Sequence, residues 1–177
     1  MGSTRDADLR RALKPVPHFE RAVREVSRML REAGIRHVLV GALGANAYRN
    51  RPRTTEDIHF LVGDEAFEAH PGGFVTMRVP VIEFAGIDID QIPITEPLRV
   101  VEGGLDRAVV SDGVPIASLE TIVVMKLIAG RSQDLADIEA IVESGTDRHE
   151  LRAAVERAIP DRLATLDRLF ANVDQRR

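Results

Sequence analysis

The hydrophobic pattern of the chain changes its period at Ser118, and this change constrains the fold more than any other feature. Before Ser118, apolar residues come in short runs bounded by glycine or polar turns, which is typical of β-strands. After it, they recur every three or four residues, which predicts consecutive amphipathic helices. We therefore expect an α/β (α+β) fold, with a mixed β-sheet flanked by helices and then a C-terminal helical region.

The first part of the chain combines strands with two helices. The predicted strands are HVLVG (37–41), DIHFLV (57–62) and the successive strands of 73–92. The turn FAGID divides the last segment into an antiparallel hairpin, and SDG (111–113) joins a second strand pair, RAVV and VPIA. Apolar residues at helical spacing predict a helix over 18–33 that ends at Gly34, and 42–50 fits a short helix.

The last third reads as helices throughout. Ser118 is a good N-cap for LETIVVMKLIAG, and Gly130 ends that helix. Further helices are expected over 132–143 and 147–158, and Pro160 opens the last one. We expect residues 1–117 to form the α/β core with an N-terminal helix. Residues 118–177 should pack on that core as helices, so that both make one structural unit.

Composition excludes several kinds of site. The chain has no cysteine, which removes disulfides, zinc–thiolate sites and thiol nucleophiles and fits a cytoplasmic location. A net charge of −4 argues against a generally basic coat for nucleic acid, although a local basic patch is compatible with it. No apolar run approaches the roughly 20 residues that span a bilayer, so no membrane partner is expected. A homo-oligomer is compatible with the apolar stripe of the last helices.

Two pairs of polar residues on strands are candidate metal ligands. Asp57 and His59 are two residues apart on a predicted strand, so both project from one face. Asp88 and Asp90 in GIDIDQI share a face in the same way, with Ile87 and Ile89, and in one reading Ile92, on the other. If either pair stands alone, it consists of ordinary polar side chains on a solvent-exposed face of a strand. If the two strands are neighbours, their like charges require a cation between them.

Other residues suggest an anion site near these carboxylates. A strand that ends at Gly41 and leads directly into a helix leaves backbone N–H groups free to meet phosphate. Lys126 lies among apolar residues in its helix, so it must reach the surface, pair with an aspartate or meet an anion. Asp134 and Asp137 follow one turn apart, close to Arg131.

The order of these parts resembles the nucleotidyltransferase superfold shared with DNA polymerase β. Residues 35–143 carry the resemblance: a glycine turn and helix, an Arg–Thr lead into DIHF, a later strand with Asp, and MKLIAGRSQDLADI. The last segment is similar to small prokaryotic nucleotidyltransferase-like proteins, including abortive-infection-type toxins. In such proteins, three carboxylates bind two magnesium ions, which hold a nucleoside triphosphate and activate the attacking hydroxyl.

Matched by position, the resemblance implies a role for each candidate residue. Gly41 takes the turn glycine, and Ala42 stands where a second glycine or a serine is usual. Asp57 and Asp90 would be catalytic carboxylates and metal ligands, with Asp88 as the alternative to Asp90. The resemblance implies that the nucleotide is bound by Gly41, Ala42, Arg53, Thr54, Lys126 and Asp134. Lys126 would also be catalytic, because it neutralises the triphosphate. Asp134 would orient Lys126 or its helix, and Arg53 and Thr54 would form the entrance.

His59 departs from this pattern because it stands where the second carboxylate is expected. An imidazole offers one nitrogen, cannot bridge two ions and prefers softer metals than magnesium. The domain could have lost catalysis, could use one Mg²⁺ or Mn²⁺, or could carry an engineered substitution. The resemblance therefore implies two functions. One is transfer of a nucleoside monophosphate from an NTP to a hydroxyl of RNA, tRNA, protein or a small molecule. The other is a degenerate domain that binds nucleotide or a toxin–antitoxin partner.

Overall fold

The computed structural model describes residues 6–176 of the chain. Its helices are α1 (Leu9–Leu13), α2 (Glu20–Glu32), α3 (Gly41–Asn46), α4 (Leu119–Ala129), α5 (Ser132–Glu143), α6 (Arg148–Ala158) and α7 (Leu163–Gln175). Its strands are β1 (His37–Leu39), β2 (Asp57–Val62), β3 (Phe67–Ala69), β4 (Val75–Met77), β5 (Glu83–Phe84), β6 (Ile87–Pro93), β7 (Val109–Ser111) and β8 (Val114–Ile116).

Within the described residues, six strands form one mixed sheet in the order β5-β6-β2-β1-β8-β7. The pairs β2–β6 and β1–β8 are parallel, and the other neighbours are antiparallel. Strands β3 and β4 form a separate antiparallel pair. The predicted α/β fold with a mixed sheet flanked by helices is therefore confirmed. Both predicted hairpins are present as β5–β6 and β7–β8.

The two hairpins form because their turns allow a left-handed backbone. Ala85 and Gly86 have φ of 53° and 79°, and Asp112 and Gly113 have φ of 48° and 78°. Two consecutive positive φ values match the right-handed twist of the flanking strands. Since this chemistry is local, the sequence was sufficient to predict it.

Helix α3 ends at Asn46, earlier than the predicted 42–50. The side chain of Asn46 closes the following loop: its amide donates to the Arg53 carbonyl at 2.7 Å, and its oxygen accepts from the Arg53 N–H at 3.0 Å. The chain therefore leaves the helix and turns back towards β2. This loop carries the arginines that the site uses.

Helix α4 occupies the centre of the molecule. The Ser118 hydroxyl accepts from the Thr121 N–H, and Gly130 ends the helix with a φ of 64°. Ile122 and Leu127 of α4 join Val38 and Ile58 of the sheet in one hydrophobic core. The helical third thus shares its core with the sheet. None of the helices in the described part of the chain is long and apolar enough to cross a membrane.

Candidate functional site

The parallel pairing of β2 and β6 brings the candidate metal ligands together. His59 lies opposite Asp90 in the register, and Asp57 lies opposite Asp88. Nε2 of His59 lies 3.0 Å from Oδ2 of Asp57 and 3.1 Å from Oδ2 of Asp90. Asp57, His59 and Asp90 each offer a ligand atom, and these atoms lie within 4.8 Å of one another. Asp88 is not part of this group.

The cluster faces the solvent on one side only. The side chain of His59 is 22% exposed, that of Asp57 42% and that of Asp90 65%. Thr55 donates its hydroxyl to Oδ1 of Asp57 at 2.8 Å and fixes that carboxylate. His59 therefore forms the floor of the cluster, and the two carboxylates form its rim.

Gly41 lies directly against the histidine. The Val40 N–H donates to the His59 carbonyl at 2.9 Å, which holds the end of β1 against β2. Gly41 has a φ of 64°, and a Cβ placed on it would lie 2.7 Å from Nδ1 of His59. A glycine is therefore required here both by the backbone and by the approach of the imidazole. Ala42 follows in the first turn of α3.

The donor set of the cluster fits one divalent cation. Two carboxylates supply the oxygen ligands that Mg²⁺ and Mn²⁺ prefer, and they leave a negative charge for a cation to neutralise. The imidazole adds a single nitrogen, which Mn²⁺ accepts more readily than Mg²⁺. A pair of ions bridged by a carboxylate at position 59 does not fit, because imidazole cannot bridge.

Lys126 is buried and paired with two aspartates. Its side chain is 7% exposed, and Nζ donates to Oδ1 of Asp134 at 3.1 Å and to Oδ2 of Asp137 at 2.7 Å. Ion pairs with two aspartates of α5 therefore satisfy the charge of Lys126, although the residue lies among apolar neighbours in α4. Arg131 lies on the outer side and donates to Oδ2 of Asp134 at 2.7 Å.

Asp137 also forms ion pairs with two arginines. Arg49 donates to Oδ1 at 2.7 Å, and Arg53 donates to the same atom at 2.9 Å and to Oδ2 at 3.1 Å. Burial would raise the pKa of Asp137, but the hydrogen bond from Arg53 and the charge of Lys126 outweigh it and lower the pKa to about 2. Among the described residues, four cations thus share two carboxylates, which leaves two positive charges in excess (4 − 2).

Two cavities meet at the histidine. A polar cavity of about 560 Å³ is bounded by the first turn of α3, the segment 53–57, Arg131 and Gln133. An apolar cavity of about 350 Å³ lies on the other side, between α4 and the loop that follows β6. Both are bounded by five residues: Gly41, His59, Lys126, Arg131 and Asp134.

The structure shows where the remaining candidates lie. Arg53 and Thr54 line the polar cavity, but the threonine that contacts Asp57 is Thr55. Ile92 lies on the same face of β6 as Asp90 and lines the apolar cavity, so its assignment to the opposite face is wrong. The reason is the two-residue period of the strand, which groups even-numbered positions together.

Asp137 was not expected to join the site. The one feature of the sequence that could have indicated a role for Asp137 is its spacing of one helical turn from Asp134, away from the apolar stripe of the helix. Its partners Arg49 and Arg53 precede it by more than 80 residues, since the sequence separations are 88 and 84. Local spacing carries no information about such pairs.

No protein-family model matches the chain, and no curated protein matches it. Among solved structures, it is similar to an antigenic nucleotidyltransferase-like protein from Paracoccidioides brasiliensis, with 16% sequence identity and a TM-score of 0.46. That similarity covers 86% of this chain and 94% of the other.

Proposed function

We propose that this chain is a metal-dependent nucleotidyltransferase, which moves a nucleoside monophosphate from an NTP to a hydroxyl acceptor. The observation that carries the proposal is the convergence of Asp57, His59 and Asp90 beside a polar cavity that Arg53, Lys126 and Arg131 line. A cation site and a polyphosphate site in contact are what this reaction requires.

The cationic wall suits a triphosphate. Lys126, Arg131 and Arg53 line the polar cavity, and their aspartate partners hold them in place. Arginine guanidinium groups match phosphate oxygens in pairs. Within this proposal, Gly41 and Ala42 line the part of the polar cavity where the phosphate chain would lie.

Asp57, His59 and Asp90 would hold the cation, Mg²⁺ or Mn²⁺. The ion supplies positive charge to the phosphate oxygens when bound. The acceptor oxygen forms a bond to the α-phosphorus as the α–β phosphoanhydride bond breaks, and pyrophosphate leaves. One of the carboxylates, Asp57 or Asp90, accepts the proton of the acceptor hydroxyl.

A second function is favoured by one observation. Position 59 holds a histidine, whose Nε2 contacts the carboxylates of Asp57 and Asp90. The cluster therefore has two acidic ligands and no third carboxylate that could bridge two metal ions. Fewer negative ligands weaken divalent cation binding. The chain would then bind the nucleotide, or a partner protein, without transferring the nucleotidyl group.

Transfer assays with the parent chain, His59→Asp and Asp57→Asn separate these functions. Each is incubated with NTPs labelled at the α-phosphate, Mg²⁺ or Mn²⁺, and a mixture of RNAs including tRNA. We expect transfer by the parent with Mn²⁺ and a loss of at least about 100-fold in Asp57→Asn. Transfer by His59→Asp alone would support the binding function. If none of the three chains binds an NTP in calorimetry, both the transfer function and the nucleotide-binding function are wrong.

A further inference from the structure

The apolar cavity has no role in the proposal so far, although it opens at the same histidine as the polar one. Its walls come from Ile122, Met125 and Ile128 on α4, from Ile92 on β6 and from Pro97 and Leu98 in the following loop. Building on the proposed function, we infer that one nucleoside triphosphate spans both cavities, with its nucleoside in the apolar cavity and its phosphates in the polar one.

The volume of the apolar cavity limits what enters it. At about 350 Å³ it lies near the lower end of the roughly 300–1,000 Å³ range of small-molecule sites. This space suits one ring system with its sugar. A polymer such as RNA could place no more than a terminal unit there.

The shared wall places the reacting atom. In a nucleoside triphosphate, the α-phosphorus lies between the nucleoside and the two outer phosphates. In this chain, His59 and Gly41 lie between the apolar and the polar cavity, and the carboxylates of Asp57 and Asp90 are within hydrogen-bond distance of His59. A nucleotide that fills both cavities therefore has its α-phosphate beside the candidate cation site.

Polar groups at the mouth of the apolar cavity favour a nucleoside over a plain hydrocarbon. The Thr95 hydroxyl can donate or accept, and the Glu96 carboxylate accepts when ionised. The edge of a nucleobase and the ribose hydroxyls offer N–H and O–H donors to such groups. An aliphatic chain would make no hydrogen bond to either group.

Two substitutions fill the apolar cavity from opposite walls. Ala129 is an exposed residue at the end of α4, and Thr95 is an exposed residue of the loop after β6. Ala129→Phe and Thr95→Trp should therefore reduce the cavity without disturbing the core. Ala153→Phe makes the same change on the exposed side of α6, outside both cavities, and serves as the control.

Binding of ATP, CTP, GTP, UTP and inorganic triphosphate is measured by calorimetry in the presence of Mn²⁺. We expect each filling variant to lose at least about tenfold in NTP affinity and to bind inorganic triphosphate within about twofold of the parent. The melting temperature of each variant verifies folding, and Thr95→Trp provides the test if Ala129→Phe does not fold.

The outcomes distinguish the two proposals. Unchanged NTP affinity in both folded filling variants would overturn the nucleoside assignment and leave the proposed function standing. Equal losses for NTP and inorganic triphosphate would also overturn it, because the cavity would then not act on the nucleoside. An absence of NTP binding by the parent would overturn the proposed function together with this inference.

Discussion

At the scale of single residues, the site depends on a contact between Gly41 and His59. The imidazole fills the space that a side chain at position 41 would need, and the glycine adopts a backbone conformation that other residues avoid. Each residue therefore limits what the other position can hold. A larger residue at position 41 has to displace the ring that joins Asp57 to Asp90.

Gly41→Ala should destabilise the protein and disturb the cluster. We expect a loss of about 2 kcal/mol in the free energy of unfolding, measured by urea denaturation, because backbone strain and the histidine contact add together.

Gly34→Ala is the matched control for this change. Gly34 has a φ of 72°, and a Cβ placed on it would meet no other atom within 4 Å, so only the backbone strain applies there. We expect a loss of about 1 kcal/mol. Equal losses in the two variants would show that the contact with His59 has no energetic weight.

Residue patterns predicted part of the site. The shared face of Asp57 and His59 followed from the strand period, because that period is local. The convergence of Lys126 with Asp134 was also within reach, since both lie on consecutive helices. Asp137 was missed because its arginine partners come from a distant loop.

At the scale of elements, the register between β2 and β6 selects the ligands. The strand period places Asp88 and Asp90 on one face alike, and only the resemblance favoured Asp90, with Asp88 as the alternative. Parallel pairing places Asp90 opposite His59 and Asp88 opposite Asp57. Which strands become neighbours is decided by packing across the whole sheet. The residue pattern therefore predicted the hairpin turns, whereas only the resemblance implied that these two strands are neighbours.

Asp90→Asn and Asp88→Asn should differ in cation binding. We expect Asp90→Asn to weaken Mn²⁺ binding at least about tenfold, because it removes a charged ligand. Asp88→Asn should remain within about threefold of the parent, since only a nearby charge is lost. Mn²⁺ titrations followed by calorimetry measure both. The reverse order would make Asp88 the third ligand.

At the scale of the whole molecule, Asp137 joins parts that are far apart in the chain. It binds Lys126 of the central helix and Arg49 and Arg53 of the loop that leads into β2. Its carboxylate is fully buried, so removal of its charge would leave three cations short of a partner. Folding of the helical third and assembly of the polar cavity thus depend on the same carboxylate.

The stability of the protein should fall steeply in acid because of Asp137. Its pKa in the folded chain is about 2, below the unfolded value of about 3.9. Its contribution is therefore complete above about pH 4 and is lost as the pH falls through about 2. Asp137→Asn should lose about 3 kcal/mol at pH 7 and show a flatter dependence between pH 4 and 2.

Urea denaturation across this pH range measures the effect. Asp161→Asn is the control, because the Asp161 side chain is 74% exposed and pairs only with its neighbour Arg162 at 3.4 Å among the residues that the structure describes. Its unfolding free energy should follow that of the parent at every pH. Parallel pH profiles for Asp137→Asn and the parent would contradict this account.

The burial of Lys126 also has a consequence for chemical reactivity. The sequence has two lysines, Lys14 and Lys126, and Lys14 is exposed. An amine-reactive ester should therefore modify Lys14 rapidly and Lys126 slowly, because the Lys126 side chain is 7% exposed and is held by two ion pairs. Mass spectrometry of the labelled chain would follow the opening of the molecule at a single amine. Equal labelling rates at the two lysines would show that the ion pairs of Lys126 open freely.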